Sequence, residues 1–175
     1  MDIFKGLKVI EFSSVLAGPA VGMFFAELGA EVIKIENATT GGDVTRGWKL
    51  PSESPDNPAS AYFYSVNYGK KHVFLDVENS DDKLKMTELL RGCDVVISNI
   101  KTSSAERLQI DYNTLKRGNE RIIYAQIYGY DEKDETPAFD VVLQAETGFM
   151  YMNGERGGQP VKMPVALIAF WRHIN

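Results

Sequence analysis

Apolar and polar positions along the chain follow two alternating patterns. Residues 8–12, KVIEF, form a short apolar run of the length of a buried strand. Ala17, Gly18 and Pro19 come next, and Pro19 suits a first helical turn, where its fixed φ and missing N–H do no harm. Val21, Phe24, Phe25 and Leu28 recur at i, i+3, i+4 and i+7, an apolar stripe along one helix face. Gly29 reads as the glycine that ends this helix. Residues 31–36, EVIKIE, are a second apolar run. Strand, helix and strand at this spacing make a crossover unit, so the first two strands are predicted to be parallel.

Residues 37–60 break the rhythm. They hold Gly41, Gly42, Gly47, Pro51, Pro55 and Pro58 and read as one long irregular loop, a kind that is usually functional or disordered. Further strands are predicted over 73–77, 94–98 and 121–127. Ser80 is expected to cap a helix that carries Asp81 and Asp82 in its first turn, where negative charge suits the dipole, and that stops at Gly92. Residues 103–108 and 112–117 read as short helices, and Gly118 ends the second. An acidic loop over 131–135 precedes a helix over 140–151 whose end Gly148 weakens. Strands alternating with helices predict an α/β fold with a mostly parallel sheet.

Composition narrows the class. At 175 residues, 44% hydrophobic and 25% charged, the chain reads as globular, with one domain expected. It has no apolar run of about 18 residues, so no membrane span is expected, and no secretory leader is read at its start. A net charge of −5 without a basic stripe argues against nucleic acid as a partner. The single cysteine, Cys93, reads as a small buried hydrophobe rather than a reactive thiol. The absence of disulfide pairs fits a reducing compartment, so the expected location is cytoplasmic.

Ligands of open parallel sheets sit at the carboxyl ends of the strands. The loops of interest are therefore 13–18, 37 onward, 76–79, 99–104 and 128–140. The first turn lacks G-x-G-x-x-G, and no G-x-x-x-x-G-K-[ST] occurs, which demotes dinucleotide and P-loop readings. His72 and His173 have no ligand-spaced cluster around them, so no metal is expected; His72 reads as a strand-edge residue. No G-x-S-x-G elbow is present. Asp140, between Phe139 and Val141, is either a helix-opening aspartate held by backbone N–H groups or a ligand-facing acid. Arg107, just beyond a strand's carboxyl end, either faces a phosphate or is a solvated helix residue.

Several strings together resemble the class III coenzyme A-transferases, the carnitine-CoA and formyl-CoA transferase family. Residues 6–12, GLKVIEF, look like its first strand, and Ala17-Gly18-Pro19 matches its A-G-P turn. Residues 28–36, LGAEVIKIE, match the L-G-A-x-V-I-K-I-E string. Gly42-Asp43 and residues 45–48, TRGW, match the next loop; Asn67, Lys70 and Lys71 match N-x-x-K-[KR]; Leu75-Asp76 and residues 94–99, DVVISN, match two strand ends.

The resemblance implies a Rossmann-like α/β domain over residues 1–168, the N-terminal portion of the family's large domain, followed by a tail over 169–175 unlike the family. It implies acyl-CoA and a carboxylic acid as substrates, with no permanently bound cofactor, and a homodimer as the assembly. CoA contacts carried over position by position are Val15, Leu16 and Ala17 in the first turn; Leu75, Asp76, Val77 and Glu78; Asn99 and Arg107, the latter near the nucleotide phosphates; and Phe139 and Asp140 beside the pantetheine. Asn37 stands where relatives often carry an arginine over the adenine, and Leu16 where the formyl-CoA branch has a glutamine. In the family an aspartate attacks the donor thioester to give a mixed anhydride, and the returning CoA thiolate converts it to an aspartyl-CoA thioester. That aspartate closes a strand which the resemblance places here over 164–168, and at the position after it this chain has Ala169. The racemase branch has a histidine where Phe139 stands. The resemblance thus implies a truncated chain, inactive alone; a non-catalytic module that binds CoA or a partner subunit is the alternative.

Overall fold

The computed structural model describes residues 2–131, 134 and 136–166. The chain divides into two compact units, Met1–Ile127 and a second one beginning at Tyr128.

The first unit is built on five strands: β1 Lys8–Phe12, β2 Glu31–Asn37, β3 Lys71–Leu75, β4 Val95–Ser98 and β5 Ile123–Gln126. They form one sheet in the order β3-β2-β1-β4-β5. Every neighbouring pair is parallel, including the first two strands as the crossover pattern requires. The expected α/β, Rossmann-like architecture is thus present. From β1 the chain works outward to one edge through β2 and β3, then returns to the centre and leaves through β4 and β5. The carboxyl ends of β1 and β4 therefore flank a topological switch point.

Side chains alternate across the sheet. Ile10, Phe12, Ile35 and Val96 join Leu75, Met86, Leu90, Ala105, Ile110 and Leu115 in one core. That core is closed by α3 Ser80–Arg91, α4 Thr102–Arg107 and α5 Tyr112–Gly118. Val9, Val32, Val95 and Ile97 point the other way and pack against Val21, Phe25 and Ala26 of α1, Ala17–Glu27. α2, Ala61–Asn67, packs beside α1.

Several sequence expectations shift. The helix after β1 ends at Gly29 with φ +96°, as read. Its buried face, however, is Gly18, Pro19 and Gly22, while Phe24 of the predicted stripe is 54% exposed. Small residues win that face because α1 lies almost on the sheet: a Cβ at Gly22 would overlap the Glu11 carboxylate, and one at Gly18 would overlap the Ser13 side chain. β3 starts two residues before the predicted 73, because pairing with β2 continues through the polar Lys71 and His72. Asn79, not Ser80, caps α3, its side chain accepting from the Asp81 and Asp82 N–H groups. The loop over 37–60 is ordered by two short 3₁₀ turns, Ala38–Thr40 and Val44–Gly47.

The second unit holds α6 Asp140–Glu146 and α7 Phe149–Met152, two pieces where one helix was expected. Gly148 at φ +81° separates them. Gln144, fully enclosed, ties down the segment that follows: its Oε1 accepts from the Met163 N–H at 2.8 Å and its Nε2 donates to the Val165 carbonyl at 3.1 Å. Residues 164–166 of the strand expected over 164–168 are irregular, and the rest of it, with Ala169 and the tail, lies outside the described residues.

Candidate functional site

The turn leaving β1 is held from two sides. Asn99, directly after β4, accepts the Ser14 N–H through Oδ1 at 3.1 Å and donates Nδ2 to the Ser14 carbonyl at 2.9 Å. The next residue, Val15, has φ +71°. A β-branched residue in the left-handed region costs on the order of 1–3 kcal/mol and persists only where its surroundings impose it. Here the Val15 N–H points at both oxygens of Asp43, 3.2 and 3.3 Å away. A cleft of about 170 Å³ opens beside this turn at the strand ends, lined by Ser13, Ser14, Glu36, Asn37, Asp43 and Asn99 among others.

Beneath the turn lies a buried charge network. Glu11 and Lys34 are register partners on β1 and β2, on the face that α1 covers. Their side chains and that of Lys70 are fully buried, and that of Asp43 is 1% exposed. The Lys34 ammonium contacts Glu11 Oε1 at 2.9 Å and Asp43 Oδ2 at 3.1 Å, and donates to the Ser13 carbonyl. Lys70 meets the other Glu11 oxygen at 2.7 Å and donates to the Pro19 carbonyl and Asn67 Oδ1. Each ion would cost several kcal/mol to desolvate alone, so two cations and two anions are kept only as a set. Burial pulls the Lys70 ammonium down to about 8 against the opposing pull of Glu11.

A second cluster fastens the 37–60 loop to β2 and β3. Arg46 makes a two-point contact with Glu36, Nε to Oε2 at 2.8 Å and Nη2 to Oε1 at 2.6 Å. Its guanidinium lies 3.9 Å from the Phe63 ring centre and 5.1 Å from that of Phe74. His72 Nδ1 sits 2.9 Å from Glu36 Oε1, and the Asp43 N–H donates to Glu36 Oε2 at 2.9 Å. Burial alone would raise the Glu36 carboxyl, but hydrogen bonds from Arg46, His72 and Asp43 hold it well below the ordinary carboxylate range.

The residues singled out from the sequence fall in several places. Val15, Leu16 and Ala17 form the strained turn and the start of α1, with the Leu16 side chain in the core, so that it offers a ligand backbone rather than side chain. Leu75 likewise is only 2% exposed at the end of β3. Asp76, Val77 and Glu78 make the turn into α3, where Asp76 Oδ1 accepts the Glu78 N–H at 2.9 Å. Arg107 ends α4 exposed, 3.8 Å from the equally exposed Glu78. Two predicted positions from different loops are thus brought together, through a pair worth little by itself. In the second unit, Phe139 is exposed before α6 and Asp140 opens that helix, accepting from Gln144 Nε2. Cys93 is enclosed, and burial pushes its thiol up to about 11.

Sequence reasoning met Glu11, Lys34, Asp43 and Lys70 only as parts of matching strings and gave them no role. For Glu11 and Lys34 the available signal was a charge at an inward-facing position of each of two adjacent strands expected to be buried on both faces.

A parallel sheet covered by helices, with a cleft at a switch point and a first turn shaped without a glycine-rich loop, defines an α/β protein of the doubly wound class. The chain matches the family model for CoA-transferase family III over residues 4–171, and it belongs to that family. It is 37% identical to the succinate–glutarate CoA-transferase of Agrobacterium fabrum over 93% of its own length and 42% of that protein. It is 33% identical to the succinyl-CoA:mesaconate CoA-transferase of Haloarcula hispanica over 93% of this chain and 43% of that one. Among solved structures, a CaiB/BaiF family protein from Brucella suis superposes with a TM-score of 0.88 at 34% identity, covering 95% of this chain and 45% of that one. The chain therefore spans less than half the length of the relatives it matches.

Proposed function

We propose that these residues form the CoA-docking part of an enzyme that moves CoA between carboxylic acids. The observation that carries this reading is the strained Val15 turn at the β1–β4 switch point, pinned by Asn99 and Asp43 in a chain that belongs to CoA-transferase family III. Backbone groups of Val15, Leu16 and Ala17 receive CoA. Asp76, Val77, Glu78 and Asn99 border it, with Leu75 beneath, and Arg107 meets the nucleotide phosphates once it exchanges Glu78 for the stronger anion. Phe139 and Asp140 serve the pantetheine side.

In the transfer itself, a carboxylate nucleophile attacks the donor thioester carbonyl, expels CoA thiolate and forms a mixed anhydride. The thiolate then attacks the enzyme-side carbonyl, releasing the donor acid and leaving an enzyme thioester for the acceptor acid. The thioester's free energy is retained, so no nucleotide hydrolysis is needed. Ala169 at the nucleophile position favours a second reading for a polypeptide of these residues alone, a CoA-binding module without turnover.

Calorimetric titration with CoA tests the docking role. The chain is expected to bind weakly, and Arg107→Ala to lower affinity about tenfold or more, the value of a charge-assisted phosphate contact. In an exchange assay with succinyl-CoA and glutarate the unmodified chain should give no transfer. Binding unaffected by the Arg107 change refutes that residue's assignment, and turnover refutes the module reading.

A further inference from the structure

We propose that Asp43 is a positioning residue: it holds Val15 in its left-handed conformation and thereby presents the first turn to CoA. The proposal rests on the reading of that turn as a CoA-docking loop.

Asp43 comes from the long 37–60 loop, far in sequence from β1, and its carboxylate is almost fully enclosed. Every contact it makes is directed. Oδ1 accepts from the Thr45 N–H at 3.0 Å and from Thr45 Oγ1 at 2.8 Å, which fixes the carboxylate plane. Oδ2 lies 3.1 Å from the Lys34 ammonium, which holds the group in place. Its own N–H is anchored on Glu36 Oε2, which Arg46 holds in turn. The face left over points at the Val15 N–H.

Valine avoids φ +71° because its branched side chain crowds the backbone there. Without an anion at that N–H, the peptide between Ser14 and Val15 would rotate toward negative φ. The backbone donors and acceptors beyond it, at the start of α1, would then point elsewhere. Asn99 fixes only Ser14, one residue upstream. The Arg46–Glu36–Asp43 chain of contacts thus gives the 37–60 loop a task, to preorganise a turn on the far side of β2. Charge balance for Lys34 alone would require neither the aim at Val15 nor the Thr45 bracket.

Glycine adopts φ near +70° without help, so a double-mutant cycle separates positioning from simple neutralisation of Lys34. The proteins are wild type, Asp43→Asn, Val15→Gly and the double variant, read by CoA titration and by amide hydrogen exchange at position 15 without ligand. Asp43→Asn is expected to weaken CoA binding about tenfold and to speed Val15 exchange by at least about as much. Adding Val15→Gly should return CoA affinity to within about threefold of wild type, since the strain no longer needs an anchor. Lost affinity that the glycine fails to restore overturns the proposal, and so does unchanged Val15 exchange in Asp43→Asn. A wild type that fails to bind CoA while its Val15 exchange responds as expected overturns the docking reading and supports Asp43's hold on the turn. Should Asp43→Asn fail to fold, Asp43→Glu keeps a charge opposite Lys34 while displacing the carboxylate by one methylene, and the same outcomes decide.

Discussion

Glu36 is a single side chain on which three segments converge: β2 carries it, Arg46 and Asp43 bring the 37–60 loop to it, and His72 brings β3. Its carboxyl titrates below the ordinary glutamate value of 4.5 in the folded chain. Above that value folded and unfolded chains both carry the charge, and the stabilisation is fully present. As pH falls below it, the unfolded chain takes up a proton first, and stability is lost until the folded carboxyl protonates too. Urea unfolding should therefore separate wild type from Glu36→Gln most widely near about pH 6, with the gap closing toward about pH 3. A gap independent of pH would show that the carboxylate's charge is not what the loop relies on. Little of this could be read from the chain beforehand. The string EVIKIE announces a strand, and its alternation even marks Lys34 and Glu36 as sharing a face, but the partners that make charges tolerable there lie 7 to 36 positions away. Strand-edge reading of His72 caught its position and not its partner for the same reason.

Among the elements, α1 shows how close approach overrules apolar periodicity. Val21 and Phe25 do pack on the sheet, yet the helix face nearest the strands is made of glycine and proline, because the Glu11, Ser13 and Lys70 side chains fill the space where larger groups would sit. Gly22→Ala should raise helix propensity by nearly 1 kcal/mol and still destabilise the protein by roughly 1–2 kcal/mol net, since the new methyl overlaps the Glu11 carboxylate and forces overpacking. Gly118→Ala, at the end of α5 with nothing within 4 Å of the added carbon, should be neutral or slightly stabilising. Chemical denaturation giving the same sign for both would refute the close-approach account. Elements with strong local signals, such as α3 and β4, were legible to within a residue or two. α2 was not predicted: its seven residues, AYFYSVN, carry aromatic groups that favour strands, and it is a helix because the Ser60 hydroxyl caps it and Phe63 and Val66 find a core.

For the molecule as a whole, alternation of element types was enough to announce a parallel α/β sheet, whereas the side of β1 on which β4 inserts depends on packing that no local pattern encodes. That insertion creates the switch point, so the location of the candidate site was legible as a set of loops and not as a place. The exposed surface also bears on assembly. In the second unit Phe139, Tyr151, Met152, Val161 and Val165 are each at least half exposed, while among its described residues Leu143 is the one large apolar side chain in the core. Exposed apolar side chains gathered in one short unit point to a contact site. We therefore expect a homodimer, most simply two-fold, whose contact draws on residues 139–175. Sedimentation equilibrium over a range of protein concentrations should report twice the chain mass, and Tyr151→Glu combined with Met152→Glu should shift it to the monomer while leaving the far-ultraviolet circular dichroism of the sheet domain intact. A wild type that stays monomeric throughout would refute the assembly, and a dimer indifferent to both substitutions would move the contact away from α7.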